Sequence, residues 1–100
     1  MKNDLSSEVN SPRSGFYDLT RHAQKRCVER NLPAELIPLI FQHGQQGRPN
    51  KGCREWALDP KYFEPSSPYA PVAVAINDYG TEVVKTVYFV EWHLWLKQQL

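Results

Sequence analysis

The hydrophobic positions near the start of the chain predict two successive helices. The apolar side chains of the first helix share one narrow stripe, at Phe16, Leu19, Ala23 and Cys27. Thr20 can cap this helix and Pro33 blocks its continuation, so we expect it over about residues 18–30. The second helix, about residues 33–43, is apolar on most sides and is predicted to be largely buried. Pro38 predicts that it kinks or that it starts later.

Three later segments have the composition of β-strands. Residues 53–58 predict a short strand with Trp56 and Leu58 on one face. Residues 72–76 form a continuous apolar run. Residues 81–90 are rich in β-branched and aromatic side chains. The sequence Asn-Asp-Tyr-Gly at residues 77–80 predicts a tight turn, so the last two strands should form an antiparallel hairpin.

The remaining segments are predicted as connections, apart from the tail. Residues 44–52 have three glycines and two cations and predict a mobile loop, and residues 64–71 predict a stiff proline-rich linker. In the tail, Trp92, Trp95 and Leu96 are spaced along one helical face. This spacing favours a short C-terminal helix, with a continued strand as the alternative.

Together these elements predict an α+β fold with two N-terminal helices packed on a small antiparallel sheet and a short C-terminal helix. Residues 1–15 show no periodicity and are interpreted as a flexible N-terminal arm. Residues 16–100 are interpreted as a single α+β domain.

Composition argues against several classes of protein. The chain has no apolar run long enough to cross a membrane, and its N-terminus lacks the apolar centre of a signal peptide, so a cytoplasmic protein is expected. Cys27 and Cys53 are too few for a disulfide framework and are interpreted as free thiols. No Cys/His spacing suits zinc, and we expect neither a metal nor another cofactor.

The charge is small but unevenly distributed. The net charge is +1, below that of a dedicated nucleic-acid-binding domain. Residues 20–54 nevertheless hold seven Lys or Arg against two Glu, while residues 55–100 hold three against six acidic side chains. One side of the fold could therefore attract a polyanion; the alternative is ordinary solvated surface.

A resemblance to a known family begins in the first helix. Residues 18–44 read DLTRHAQKRCVERNLPAELIPLIFQHG. They resemble a small bacterial family, labelled only as a domain of unknown function, that is grouped with the BrnT and RelE ribonuclease toxins. The family opens with Ser/Thr-x-His-Ala-x-x-Arg, and the resemblance extends over about residues 18–90. Asn31 and Leu32 stand where Gly-Ile is usual, and the end from Glu91 also differs.

The resemblance implies a RelE-like fold and metal-independent RNA cleavage, with His22, Arg26 and Arg30 in the helix motif. Such cleavage needs a general base, a general acid and cations around the phosphorus. His22 or His93 could transfer protons, and the two arginines could hold the phosphate. The candidate catalytic residues are His22, Arg26, Arg30, Lys85 and Tyr88. The candidate RNA-backbone contacts are Lys25, Arg48, Lys51 and Arg54.

Structural roles are the alternatives for these residues. His22 could pack on a loop, and Arg26 and Arg30 could pair with Glu29 or with carbonyl groups. Trp92 and Trp95 could bind a protein partner or form a homodimer contact, or they could fill the core. Three functions therefore stay open at this point: a small ribonuclease, a protein-binding module with an antitoxin or host protein as its partner, and a non-catalytic nucleic-acid binder.

Overall fold

The computed structural model describes residues 17–100 and has an α+β architecture. The predicted N-terminal arm and Phe16 lie outside these residues. The elements in chain order are β1 (Tyr17–Leu19), α1 (Arg21–Glu29), α2 (Leu36–His43), β2 (Gln45–Asn50), β3 (Cys53–Ala57), a 3₁₀ turn (Pro60–Tyr62), β4 (Tyr69–Asp78), β5 (Thr81–Glu91) and α3 (Trp92–Gln98).

The strands form one five-stranded mixed sheet in the order β1-β5-β4-β3-β2. β1 runs parallel to β5, and every other neighbouring pair is antiparallel. The predicted hairpin between β4 and β5 is confirmed. Its two turn residues, Tyr79 and Gly80, have φ values of 51° and 93°, the left-handed pair that matches the twist of the flanking strands.

A β-bulge interrupts β5 at Lys85. Ala75 of β4 pairs with Val84, but Val74 pairs with Thr86, so Lys85 is an extra residue in its strand. Side chains normally alternate between the two faces of a sheet, and one extra residue reverses that alternation from there onwards. The bulge therefore decides which face the second half of β5 presents.

Each face of the sheet is covered by helices. We call the side that holds α1 and α2 the helical face; its core includes Ala23, Ile37, Ile40, Val84 and Val87. We call the other side the α3 face; its core includes Ala57, Ala70, Val72, Trp92 and Trp95. The bulge is visible here, because Val84 and Val87 lie on the same face.

The first two helices are shorter at their N-termini than predicted. Residues 17–19 are extended because they pair with Glu82–Val84, and α1 begins only after Thr20, whose hydroxyl accepts a hydrogen bond from Ala23 N at 3.0 Å. α2 begins at Leu36, after turns that start at Pro33 and Ala34. Pro38 thus lies in the first helical turn, where its missing N–H breaks no intrahelical bond.

Two predicted connections are wrong, and the sheet is larger than expected. Residues 44–52 contain β2 and its turn rather than a mobile loop, and Tyr69 within the predicted linker already belongs to β4. The polar sequence of β2 lacks strand-forming residues, so its pairing with β3 and its contact with α3 determine its conformation. The expected α+β class and the C-terminal helix are confirmed.

Within residues 17–100, no helix has both the length and the apolar composition required to span a membrane.

Candidate functional site

The outward side of α1 carries a dense set of charged groups, which we call the basic face. At about 100° per residue, its members cover half of the helix circumference. They are Arg21, His22, Lys25, Arg26, Glu29 and Arg30. Ala23 and Cys27 occupy the buried stripe beside them, so α1 is anchored by its apolar side and presents the basic face to solvent. The basic face therefore carries four positive charges and one carboxylate.

Two of the predicted catalytic residues touch each other on this face. The Nε of Arg26 donates a hydrogen bond to Nε2 of His22 at 3.3 Å. That bond requires an unprotonated Nε2, so an imidazole lone pair and a guanidinium lie side by side. Arg26 also pairs with Glu29 at 2.9 Å, and Lys25 lies 3.9 Å from the same carboxylate. These ion pairs are exposed and therefore weak.

Arg30 extends away from this cluster towards the sheet. Its Nη1 donates to the carbonyl oxygen of Val87 at 2.8 Å, which fixes the end of α1 beside β5. Arg30 is exposed, and its guanidinium has further N–H groups that can donate to a ligand. Arg30 thus has a structural contact and still contributes charge to the basic face.

Lys85 is brought next to the start of α1 by the bulge. The hydroxyl of Thr20 donates to the carbonyl oxygen of Lys85 at 3.4 Å, and the N–H of Thr20 donates to Val84 O at 3.1 Å. The Lys85 residue is exposed. It adds a fifth positive charge near the start of α1, and its catalytic role stays a prediction.

The structure places the side chain of Tyr88 on the face of the sheet opposite α1. Tyr88 lies on the α3 face, where its hydroxyl donates to Glu55 Oε2 at 2.5 Å, and Trp95 Nε1 donates to the other carboxylate oxygen at 2.8 Å. Burial, followed by the Glu55 carboxylate, raises the pKa of Tyr88, while Arg30 acts in the opposite sense. A phenol held protonated in this way connects β5, β3 and α3. Its expected catalytic role is corrected to a structural one.

Trp92 and Trp95 belong to the core rather than to a partner surface. Their exposed fractions are 9% and 3%, and their rings stack on each other with centroids 5.8 Å apart. α3 is short and covers the sheet with these two rings. The expectation that they bind a partner is therefore corrected. His93, on the same helix, is exposed on the side of the sheet away from α1.

The predicted RNA-backbone contacts do not form one surface. Lys25 is part of the basic face, but Arg48, Lys51 and Arg54 belong to the β2–β3 hairpin at the opposite edge of the sheet. Three strand spacings of about 4.8 Å separate β5 from β2. Arg48 bonds to the carbonyl oxygen of Leu100, and Arg54 donates to Gly47 O at 3.3 Å. The basic segment of the sequence is thus divided between two edges.

The other chemically reactive groups are weaker candidates for a functional site. Burial raises the pKa of the Cys27 thiol, which favours the unreactive protonated form. Among residues 17–100, no three His, Cys, Asp or Glu side chains lie close enough to hold a metal ion.

Sequence reasoning missed two residues of the arrangement. Arg21 belongs to the basic face, and its spacing of four residues from Lys25 was the available signal. Glu55 accepts hydrogen bonds from Tyr88 and Trp95. No local pattern identifies it, because all three residues come from different elements.

Comparison of the chain with protein-family models, curated proteins and solved structures gives no match, so the resemblance to the ribonuclease toxins stays a prediction.

Proposed function

We propose that this protein binds the phosphodiester backbone of RNA through the basic face of α1. The observation that carries the proposal is the charge of that face. Arg21, Lys25 and Arg26 lie on one side of a nine-residue helix, Arg30 follows at its C-cap, and Glu29 is the one acidic residue among them. Lys85 extends the same positive surface. Phosphate contacts of this kind supply most of the affinity of non-specific nucleic-acid binding.

The basic face is also anchored well enough to act as a surface. Ala23 and Cys27 bury the inner side of α1, Thr20 caps its start, and Arg30 ties its end to Val87. A rigid helix loses little conformational freedom when it binds. The choice of RNA rests on the RelE/BrnT-like arrangement and activity that the sequence resemblance implies.

Metal-independent RNA cleavage is the second candidate function. It is favoured by the hydrogen bond between Arg26 and His22, because a base beside a phosphate-binding cation is what attack by a 2′-hydroxyl requires. The position of Tyr88 on the α3 face removes one expected proton donor. Binding is therefore placed first and cleavage second.

Binding is tested with a short fluorescein-labelled single-stranded RNA, followed by anisotropy over a range of salt concentrations. Four phosphate contacts predict a slope of log K against log salt of roughly −3. The double variant Arg21→Ala/Lys25→Ala should weaken binding about tenfold or more at low salt and reduce the slope by about half.

The matched control is Arg48→Ala/Lys51→Ala, which also removes one arginine and one lysine but at the opposite edge of the sheet. It should bind as the wild type does. Equal losses in both double variants, or a binding constant insensitive to salt, would contradict the proposal.

Cleavage is tested separately by incubating the same RNA with the protein in EDTA and separating the products on a gel. The second candidate predicts cleavage that His22→Ala abolishes while RNA binding is kept. If the RNA binds normally but stays intact, the result supports binding and excludes cleavage.

A further inference from the structure

β5 has a backbone edge that no other described strand covers. β1 pairs only with Glu82–Val84, and within residues 17–100 no strand continues that pairing towards Glu91. Arg30 reaches the carbonyl oxygen of Val87 from this side, so that carbonyl is directed out of the sheet. Because backbone groups alternate in direction along a strand, the N–H and C=O of Phe89 face the same way.

The residue that faces Phe89 across the β4–β5 pair supports this orientation. Phe89 lies opposite Pro71 of β4, which has no N–H to donate. The carbonyl oxygen of Pro71 accepts from Leu58 N at 3.1 Å, on the side of β3. The two hydrogen-bonding groups of Phe89 are therefore directed to the open edge, where a further strand could pair with them.

An apolar groove opens beside the same residue. Its volume is about 670 Å³, and its walls include Pro33, Leu36, Phe63, Tyr69 and Phe89. Tyr69 is 54% exposed at its rim. The groove lies on the helical face beyond the end of α1, and it is large enough to hold a bulky side chain.

The charges around this edge differ from one end to the other. Arg30 and Lys85 lie where the open part of β5 begins, and Glu64 lies on the wall of the groove. A ligand that ran along the edge would meet positive charge first and negative charge last. An acidic residue, an apolar residue and a basic residue in that order would complement it.

We propose that an extended peptide segment of another protein pairs with the backbone of Phe89 and inserts an apolar side chain into this groove. Backbone pairing at a sheet edge combined with a side-chain pocket is a known mode of peptide recognition. A second copy of this chain that pairs β5 with β5 is the competing occupant, and the oligomeric state distinguishes it in the test below. The groove and the backbone of Phe89 are not part of the basic face, although the acidic residue of the peptide would meet Arg30 and Lys85 of that positive surface, so the inference adds a peptide ligand to RNA binding.

The test starts from a selection of phage-displayed random peptides on the full chain. One enriched peptide is synthesised with a fluorophore, and its Kd is measured by anisotropy. Tyr69→Ala and Phe89→Pro should each weaken binding about tenfold or more, because the first removes a groove wall and the second removes both the Phe89 ring and its backbone donor. Proline is tolerated where the N–H of an edge strand faces outwards.

The matched control is Val28→Ala. Val28 is 79% exposed and lines a second apolar groove of about 510 Å³, beside α1. That groove is lined by Leu19 of β1 and includes neither Phe89 nor Tyr69, so this variant should bind the peptide normally. Amide hydrogen exchange gives a readout that needs no variant: the peptide should slow exchange of the Phe89 N–H.

Three results would overturn the proposal. One is that no selected peptide binds with a Kd below about 100 µM. Another is that binding is unchanged by Tyr69→Ala and leaves exchange at Phe89 unaffected. The third is a dimer in sedimentation experiments in which the Phe89 amide is already protected without peptide, since a second copy would then occupy the edge.

Discussion

Replacing Tyr88 by phenylalanine should destabilise the fold without affecting the binding or cleavage of RNA. The substitution removes the O–H that donates to Glu55 Oε2 at 2.5 Å and leaves the ring in place. Glu55 then keeps only the bond from Trp95 Nε1. A hydrogen bond to a charged group contributes about 1.5–3 kcal/mol. Because Tyr88 and Glu55 are only half-buried, we take the lower part of that range, about 1.5–2 kcal/mol.

The loss is measured by urea unfolding followed through tryptophan fluorescence, since Trp95 contacts the same carboxylate. In a thermal scan it corresponds to about 4–8 °C for each kcal/mol in a domain of this size. Tyr79→Phe is the control, because Tyr79 is fully exposed and should tolerate the change. A Tyr88→Phe variant with unchanged stability would refute the structural role, and loss of RNA cleavage at full stability would restore the catalytic one.

Three further changes test other parts of the structure. The raised pKa of Tyr88 means that the folded chain retains a proton that the unfolded chain releases above its ordinary pKa of 10.0. The wild type should therefore lose stability as pH rises above about 10, and its advantage over Tyr88→Phe should shrink, as urea titrations at each pH would show. Gly47→Ala would place a Cβ 2.9 Å from Trp95 Cζ2 and from Gln99 Oε1, so urea unfolding should show a loss of about 1–3 kcal/mol. Tyr79→Asn should add about 0.5–1 kcal/mol to the free energy of unfolding, because asparagine tolerates the left-handed φ of 51° better than tyrosine does.

The parts of the fold that could be predicted from sequence are those determined by neighbouring residues. The buried stripe of α1, the turn at Gly80 and the face of α3 all follow from side-chain spacing over a few residues. β2 could not be predicted in this way. Its sequence contains glycine and proline at Gly47 and Pro49, and it forms a strand because Gly47 fits beneath Trp95 and because β3 pairs with it.

The same distinction explains which residues of the candidate site could be predicted from the sequence. The basic face follows from a helical period, so most of its members were identified. Simple alternation from Val84 would place Tyr88 on the helical face, beside α1. The bulge at Lys85 reverses the alternation, and Tyr88 faces α3 instead. A bulge depends on how two strands pair, which the residues of one strand do not reveal.

The position of β5 has a consequence for biosynthesis. β5 is the last strand in the chain, yet it lies between β1 and β4 and supports α1. During synthesis β1 and α1 emerge before β5, and the apolar stripe of α1 at Ala23 and Cys27 then has no sheet to cover it. The native packing of α1 therefore has to wait until β5 has emerged. A nascent chain halted before Thr81 should expose that stripe to chaperones.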